Sequence, residues 1–281
     1  MTAHAAPRTG VRLGPLMVRV VSGVLLLLAV VGLILLGLWG IWIIVAALMG
    51  LALWEFRRLS EGMGFRAPSW LLFPLAFYLA FSGTVLLAVP LQLVLALALI
   101  IGLTVFLFLP GRREGLGRWA MGLAGAIYLG LPMNYYLLLY TRATPGRGLT
   151  WLLLTILTAV ASDAAALLVG QRLGRHPFFA AISPKKTVEG ALGGIVLCVP
   201  VMLVGGVLFL GLKPWQAAIF GLLVGVSAEV GDLVESQMKR LAGVKDSSHL
   251  IPGHGGVLDR LDSLLFPPIV VYLCAYYLHL L

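Results

Sequence analysis

A chain of 281 residues in which 60% of side chains are hydrophobic and only 11% charged lies outside the range of water-soluble globular domains. The net charge of +9 would suggest nucleic acid in a soluble protein, but no nucleic-acid-binding motif accompanies it here. Cations retained on the cytoplasmic side of a membrane, facing anionic headgroups, explain it instead. Each crossing needs ~20 mostly apolar residues, and open sheets would leave backbone groups unsatisfied in lipid. The expected fold class is therefore an all-α polytopic membrane protein.

Nine apolar runs can be drawn, at about 16–36, 38–54, 70–89, 91–109, 119–140, 150–170, 188–211, 215–231 and 264–281. The first is preceded by Arg8, Arg12 and Arg19 as a signal peptide would be. No small-residue cleavage site follows it, so it reads as a retained helix. The first two runs form a hairpin broken near Gly37, and the next two a hairpin broken at Pro90. With the N-terminus placed inside, every basic residue except Arg142, Arg147 and Lys213 falls in a cytoplasmic segment. That bias predicts nine spans with the N-terminus cytoplasmic and the C-terminus outside.

The first half reads as poor in chemistry, and residues 1–115 form an N-terminal set of about four helices. Glu55, Arg57, Arg58 and Glu61 cluster at a helix end, where pairing with one another or with headgroups accounts for them. The tyrosines and tryptophans read as interfacial or packing residues. Cys198 and Cys274 sit in apolar runs without metal-ligand spacing and read as buried thiols, neither disulfide nor metal site. No internal repeat is visible, which counts against an inverted-repeat transporter.

Polarity enters with the C-terminal region, 116–281, whose about five helices carry cytoplasmic loops at 171–187 and 232–262. Asp163 interrupts an apolar run, and an ionisable residue at that depth is a functional candidate, the alternative being a structural hydrogen bond or ion pair. Ser183 and Pro184 predict a helix N-cap and first helical position. Lys185, Lys186 and Thr187 would then lie in a first turn suited to an anion, holding either a phosphate or lipid headgroups. Gly190, Gly193 and Gly194 give the next helix a small-residue face for close packing.

The stretch from Gly231 to Ser263 is the longest polar run of the chain. With Glu229 just ahead of it, it contains Asp232, Glu235, Asp246, Asp259 and Asp262, six of the eleven acidic residues. If the eighth helix continues outward, Asp232, Glu235, Ser236, Lys239 and Arg240 share one face. Gly255 and Gly256 let backbone approach a ligand closely. Asp259 and Asp262 are expected on one face at the start of the last helix. Carboxylates from two helix ends suit Mg²⁺, and nearby lysines and arginines suit a triphosphate and its leaving pyrophosphate.

From Ser236 to Asp262 the order is S-x-M-K-R, four residues, K-D-x-S, two residues, I-P-x-H-G-G-V-x-D-R-L-D. This resembles the signature of the phosphatidate cytidylyltransferase, or CDP-diacylglycerol synthase, family, and the likeness extends upstream to GDLVES, SPKKTVEGALGG and the segment at Asp163. Leu167 and Gln171 depart from the family's usual tyrosine and arginine. The resemblance implies CTP and phosphatidate as substrates, CDP-diacylglycerol and pyrophosphate as products, and no nucleic acid. It also implies a homodimer in the cell membrane, with the site facing the cytoplasm and Mg²⁺ held with a potassium ion nearby. Carried over residue by residue, Asp232 and Asp259 would hold the metal. Lys239, Arg240, Asp246, His254, Arg260 and Asp262 would serve the chemistry, and Lys185, Lys186, Thr187, Ser236 and Lys245 would bind substrate. The reading from a different class is a transporter or channel for an anionic solute, with Asp163 and Glu229 in its pathway.

Overall fold

A computed structural model describes residues 23–24, 28–84, 89–107, 112–250 and 255–281. Arg8, Arg12 and Arg19, residues 16–22 and 25–27 of the first apolar run, and Ile251, Pro252, Gly253 and His254 lie outside the described residues. The described elements are α-helical with short 3₁₀ and turn segments. They are α1 (Leu38–Gly62), α2 (Ser69–Phe81), α3 (Leu91–Leu107), α4 (Arg112–Arg142) and α5 (Gly148–Leu173). They continue with α6 (Val188–Leu210), α7 (Pro214–Leu241), the single turn α8 (Leu258–Leu261), a 3₁₀ turn at Asp262–Leu264, and α9 (Pro267–Tyr277).

Five of these helices, α1, α4, α5, α6 and α7, are long and apolar enough to cross a membrane; α2 and α3 are apolar but shorter. The chain is a multi-pass membrane protein by that measure, and its outward surface carries large apolar side chains such as Leu157, Val204 and Leu208. Proline lies inside α2, α4 and α6 (Pro74, Pro132 and Pro200), as tightly packed membrane helices allow.

Two apolar cores organise the helices. One joins α1, α2 and α4 and extends to Val257, Leu258, Leu261 and Leu265; the other joins α5, α6, α7 and α9 around Trp151, Met202, Phe220 and Val271. The small-residue face of α6 packs as expected. A Cβ at Gly190 would stand 2.8 Å from the Ala166 carbonyl oxygen, and one at Gly194 would stand 2.9 Å from that of Ser162. Cys198 and Cys274 are free, the former buried.

Two expected boundaries are corrected. The cap of α6 is Thr187, whose hydroxyl accepts from the Gly190 amide at 3.2 Å, and Ser183–Pro184 form a turn ahead of it. Lys185 and Lys186 therefore precede the helix. Thr187 prevails because the chain before it is tied back: Pro177 bridges Thr187, and the Glu189 carboxylate accepts the Arg175 amide at 3.0 Å. Asp259 and Asp262 do not open the last helix either. They lie on α8 and in the 3₁₀ turn, and α9 begins anew at Pro267, where Pro267–Pro268 supply no N–H to continue a helix.

Candidate active site

The site grows from the polar end of α7. That helix continues beyond its apolar run to Leu241 and stops at a left-handed glycine. Gly243 has φ +72°, its amide bonds Arg240 O, and the Val244 amide bonds Lys239 O, so the last carbonyls are satisfied. The extension presents i, i+4 pairs as expected. Ser236 donates to Asp232 Oδ1 at 3.1 Å, and Lys239 Nζ stands 2.8 Å from Glu235 Oε2. Arg240 leaves this face and donates to the carbonyls of Ile182 and Val244, tying the helix to the stretch ahead of α6.

Two lysines each bridge two carboxylates. Lys186 Nζ lies 2.8 Å from both Glu229 Oε2 and Asp232 Oδ2. Burial works against its charge, but the carboxylates of Asp232 and Glu229 outweigh burial and hold its pKa above lysine's ordinary value. Lys239 Nζ lies 2.8 Å from both Glu235 Oε2 and Asp259 Oδ1. Glu235 is fully buried, and that ammonium is its one close donor among the described residues.

Asp259 is held from several sides. Besides Lys239 it accepts the Gly256 amide at 2.8 Å and the Ser247 amide at 3.0 Å, and it shares with Glu55 the single hydroxyl proton of Ser247, whose oxygen stands 2.9 Å away. Burial raises its pKa, but Lys239 and these amides prevail and keep it below the ordinary carboxylate value. Asp262 behaves oppositely. Its carboxyl is pushed up to about 7, first by burial and then by the negative charge of Asp232. Asp163 receives the Ser263 hydroxyl at 2.6 Å, which joins α5 to the 3₁₀ turn.

A cavity of about 360 Å³ opens between these elements. It is lined by Asp163, Gly170, Lys185, Lys186, Glu229 and Asp232 among others, and by Leu167 and Gln171. Thr187 also lines it. Lys245 and Asp246 are exposed beyond the end of α7, and Arg260 is exposed on α8 beside Asp259. Among the described residues the structure thus brings Asp163, Lys185, Lys186, Thr187 and Asp232 together at the cavity, with Ser236 behind them as a donor to Asp232. It gathers Lys239 and Asp259 in a second cluster.

One residue of this region was missed. Glu55, assigned above to a helix end near headgroups, is fully buried and accepts the Ser247 and Ser248 hydroxyls and the Val257 and Leu258 amides. The helix α1 runs on past residue 54, so Glu55 shares a buried face with Ala52, Phe56 and Leu59. A signal existed in that spacing: an acid three residues after Ala52 and four before Leu59 belongs to the core stripe.

No group of three or more His, Cys, Asp or Glu stands at metal-ligating distance among the described residues. The donor chemistry nonetheless fits a hard cation. Glu229 and Asp232 share one ammonium, Glu235 and Asp259 share another, and the negative charge of Asp232 that bears on Asp262 is of the kind a dication offsets.

The chain belongs to the cytidylyltransferase family, whose sequence profile matches residues 17–278. Among curated relatives, it is 40% identical over 121 residues to a phosphatidate cytidylyltransferase of Mycobacterium bovis, covering 43% of this chain and 40% of that protein. It is 38% identical over 149 residues to the phosphatidate cytidylyltransferase of Staphylococcus haemolyticus, covering 52% of this chain and 55% of the relative. It is 45% identical over 130 residues to that of Helicobacter pylori, covering 46% and 47%. The matched stretch spans about half the length of these relatives.

Proposed function

We propose that this protein is a phosphatidate cytidylyltransferase that makes CDP-diacylglycerol and pyrophosphate from CTP and phosphatidate. The observation that carries the reading is the pair of lysine–carboxylate clusters at the polar end of α7, one of them opening on a cavity, in a chain of this family. A phosphate oxygen of phosphatidate attacks the α-phosphorus of CTP in line. The new P–O bond forms as the bond from the α-phosphorus to the bridging oxygen breaks, and the electron pair leaves with pyrophosphate. A phosphate monoester is already anionic at neutral pH, so positioning and charge neutralisation, not a strong base, supply the catalysis.

Mg²⁺, held by Asp232 and Asp259 with Asp262 beside them, would offset the charge of the triphosphate, and a potassium ion is the proposed second ion. Lys185, Lys186, Thr187, Ser236 and Lys245 are the proposed phosphate contacts. Lys239, Arg240, Asp246, His254, Arg260 and Asp262 would orient the reacting groups. The membrane arrangement we infer is nine spans with the N-terminus and the active site cytoplasmic, in the cell membrane, as a homodimer; the distribution of basic residues supports the orientation.

The test is pyrophosphate release by the detergent-purified protein given CTP, phosphatidate and Mg²⁺, with each component omitted in turn and Asp259→Asn alongside. Release that needs all three and is lost in the variant is the expected result. A folded protein that releases none, while a panel of other nucleotides and lipid phosphates does support release, would redirect the substrate assignment. Silence across that panel would sink the enzyme reading.

A further inference from the structure

The carboxylate of Glu55 lies on α1, yet all its partners come from 192 to 203 positions later in the chain. Oε1 accepts the Ser248 hydroxyl at 2.5 Å and the Val257 amide at 2.9 Å. Oε2 accepts the Ser247 hydroxyl at 3.0 Å and the Leu258 amide at 2.6 Å. Four donors on two oxygens use the acceptor capacity of a carboxylate, and in a fully buried position each is needed. Glu55 does not line the cavity. Its reach toward the site goes through Ser247, whose hydroxyl also stands 2.9 Å from Asp259 Oδ2 and whose amide stands 3.0 Å from the same atom.

This contact has structural work to do. The helix α8 is a single turn, too short to hold itself, and Asp259 rides on it. Its apolar side is gripped by the core that Phe56 and Leu59 of α1 share with Val257, Leu258 and Leu261. Its first amides are gripped by Glu55. The backbone is drawn so close that a Cβ on Gly256 would collide with Ser247 Oγ and lie 2.7 Å from Glu55 Oε1.

We propose that Glu55 is a positioning residue for the cytidylyl transfer: from the N-terminal half of the chain it fixes the segments on both sides of the site loop and thereby sets the place of Asp259. The inference rests on the functional reading above. It makes α1 part of the catalytic apparatus, where the sequence suggested a helix poor in chemistry.

The test compares Glu55→Gln, Glu55→Asp, Ser247→Ala and Ser248→Ala in the full-length protein, with amide hydrogen exchange and steady-state kinetics measured side by side. Glutamine keeps the size of Glu55 but turns one acceptor into a donor, facing amides that cannot reverse their role. The expected result for Glu55→Gln is exchange at Val257 and Leu258 faster by about tenfold or more, while α5 and α6 keep their protection. The turnover number should fall by about a hundredfold with KM for CTP changed far less, as for a misplaced rather than a missing group. Glu55→Asp should restore part of both losses. Ser247→Ala should lower turnover more than Ser248→Ala, because only Ser247 also touches Asp259.

Unchanged exchange at Val257 and Leu258 in Glu55→Gln would overturn the proposal, whatever the activity. Faster exchange with wild-type turnover would overturn it as well. Should Glu55→Gln not fold, Glu55→Asp and the two serine variants decide by the same two readouts. A wild-type protein that releases no pyrophosphate points to failure of the functional reading instead, and the exchange data then still decide whether Glu55 holds the segments around the loop.

Discussion

Ser263 donates a hydroxyl hydrogen bond to Asp163 Oδ2 at 2.6 Å, so a residue of the turn that follows α8 is fastened to the middle of α5, 100 positions earlier. That bond sets the wall of the cavity on which Lys186 and Asp232 open. Ser263→Ala leaves the exposed carboxyl of Asp163 without this donor, at a cost of about 0.5–1.5 kcal/mol. The expected outcome is a lower midpoint of thermal unfolding in detergent together with reduced turnover. Ser263→Thr, which keeps the hydroxyl, should lie closer to wild type in both.

Lys186 bridges Glu229 and Asp232 from a segment 43 and 46 residues upstream. Lys186→Met removes the ammonium and leaves the two carboxylates facing each other. Turnover should fall by about a hundredfold or more, as when a preorganised charge at a phosphate site is lost. Lys186→Arg should not restore it, because a planar fork cannot reproduce one nitrogen at 2.8 Å from two separate acids. Kinetics of both variants beside wild type check this.

The raised pKa of Asp262 fixes a pH dependence for the protein kept free of divalent cations. With the folded-state value at about 7 and the unfolded value near the ordinary aspartate figure of about 4, the folded form holds the proton more tightly. The contribution of this group to stability is full below about pH 4 and is lost as pH rises toward 7. Thermal unfolding in a chelating buffer should therefore show a declining stability component across that window. Asp262→Asn, which cannot ionise, should remove that component.

Gly256→Ala tests the close approach at the loop. A methyl group there meets the Ser247 hydroxyl and the Glu55 carboxylate, so Ser247 must move away from Asp259. The expected outcome is loss of most activity from a protein that still inserts and purifies, assayed by pyrophosphate release.

Arg66→Ala serves as the contrast. Arg66 pairs with Glu61 at 3.4 Å, with both side chains about half exposed. Such a surface pair contributes about 0–1 kcal/mol, so unfolding midpoint and turnover should stay near wild type.

Much of the site was legible before any coordinates. Asp232 with Ser236 and Glu235 with Lys239 are i, i+4 pairs, and a helix that continues past its apolar run must place them together. The glycines of α6 were legible for the same reason, since helical spacing turns them to one side. The misread positions share another property. Thr187 and Ser183 are both competent caps, and the choice between them was made by Glu189 and Pro177 holding the preceding chain. Asp262 was assigned to a helix because its spacing from Asp259 allows one, while the two prolines at 267 and 268 start α9 afresh.

By itself the sequence determined the helical membrane class, the outward extension of α7 and the collection of acids and bases around it, because hydrophobicity and 3.6-residue periodicity act locally. Tertiary structure alone decided that Lys186 reaches α7, that Ser263 reaches Asp163 and that Glu55 holds the segments around the site loop. These contacts join residues 43 to 203 positions apart, and a hydrogen bond between distant segments leaves no period in either one. Packing selects it, when a buried carboxylate must find donors and the nearest ones belong to another part of the chain.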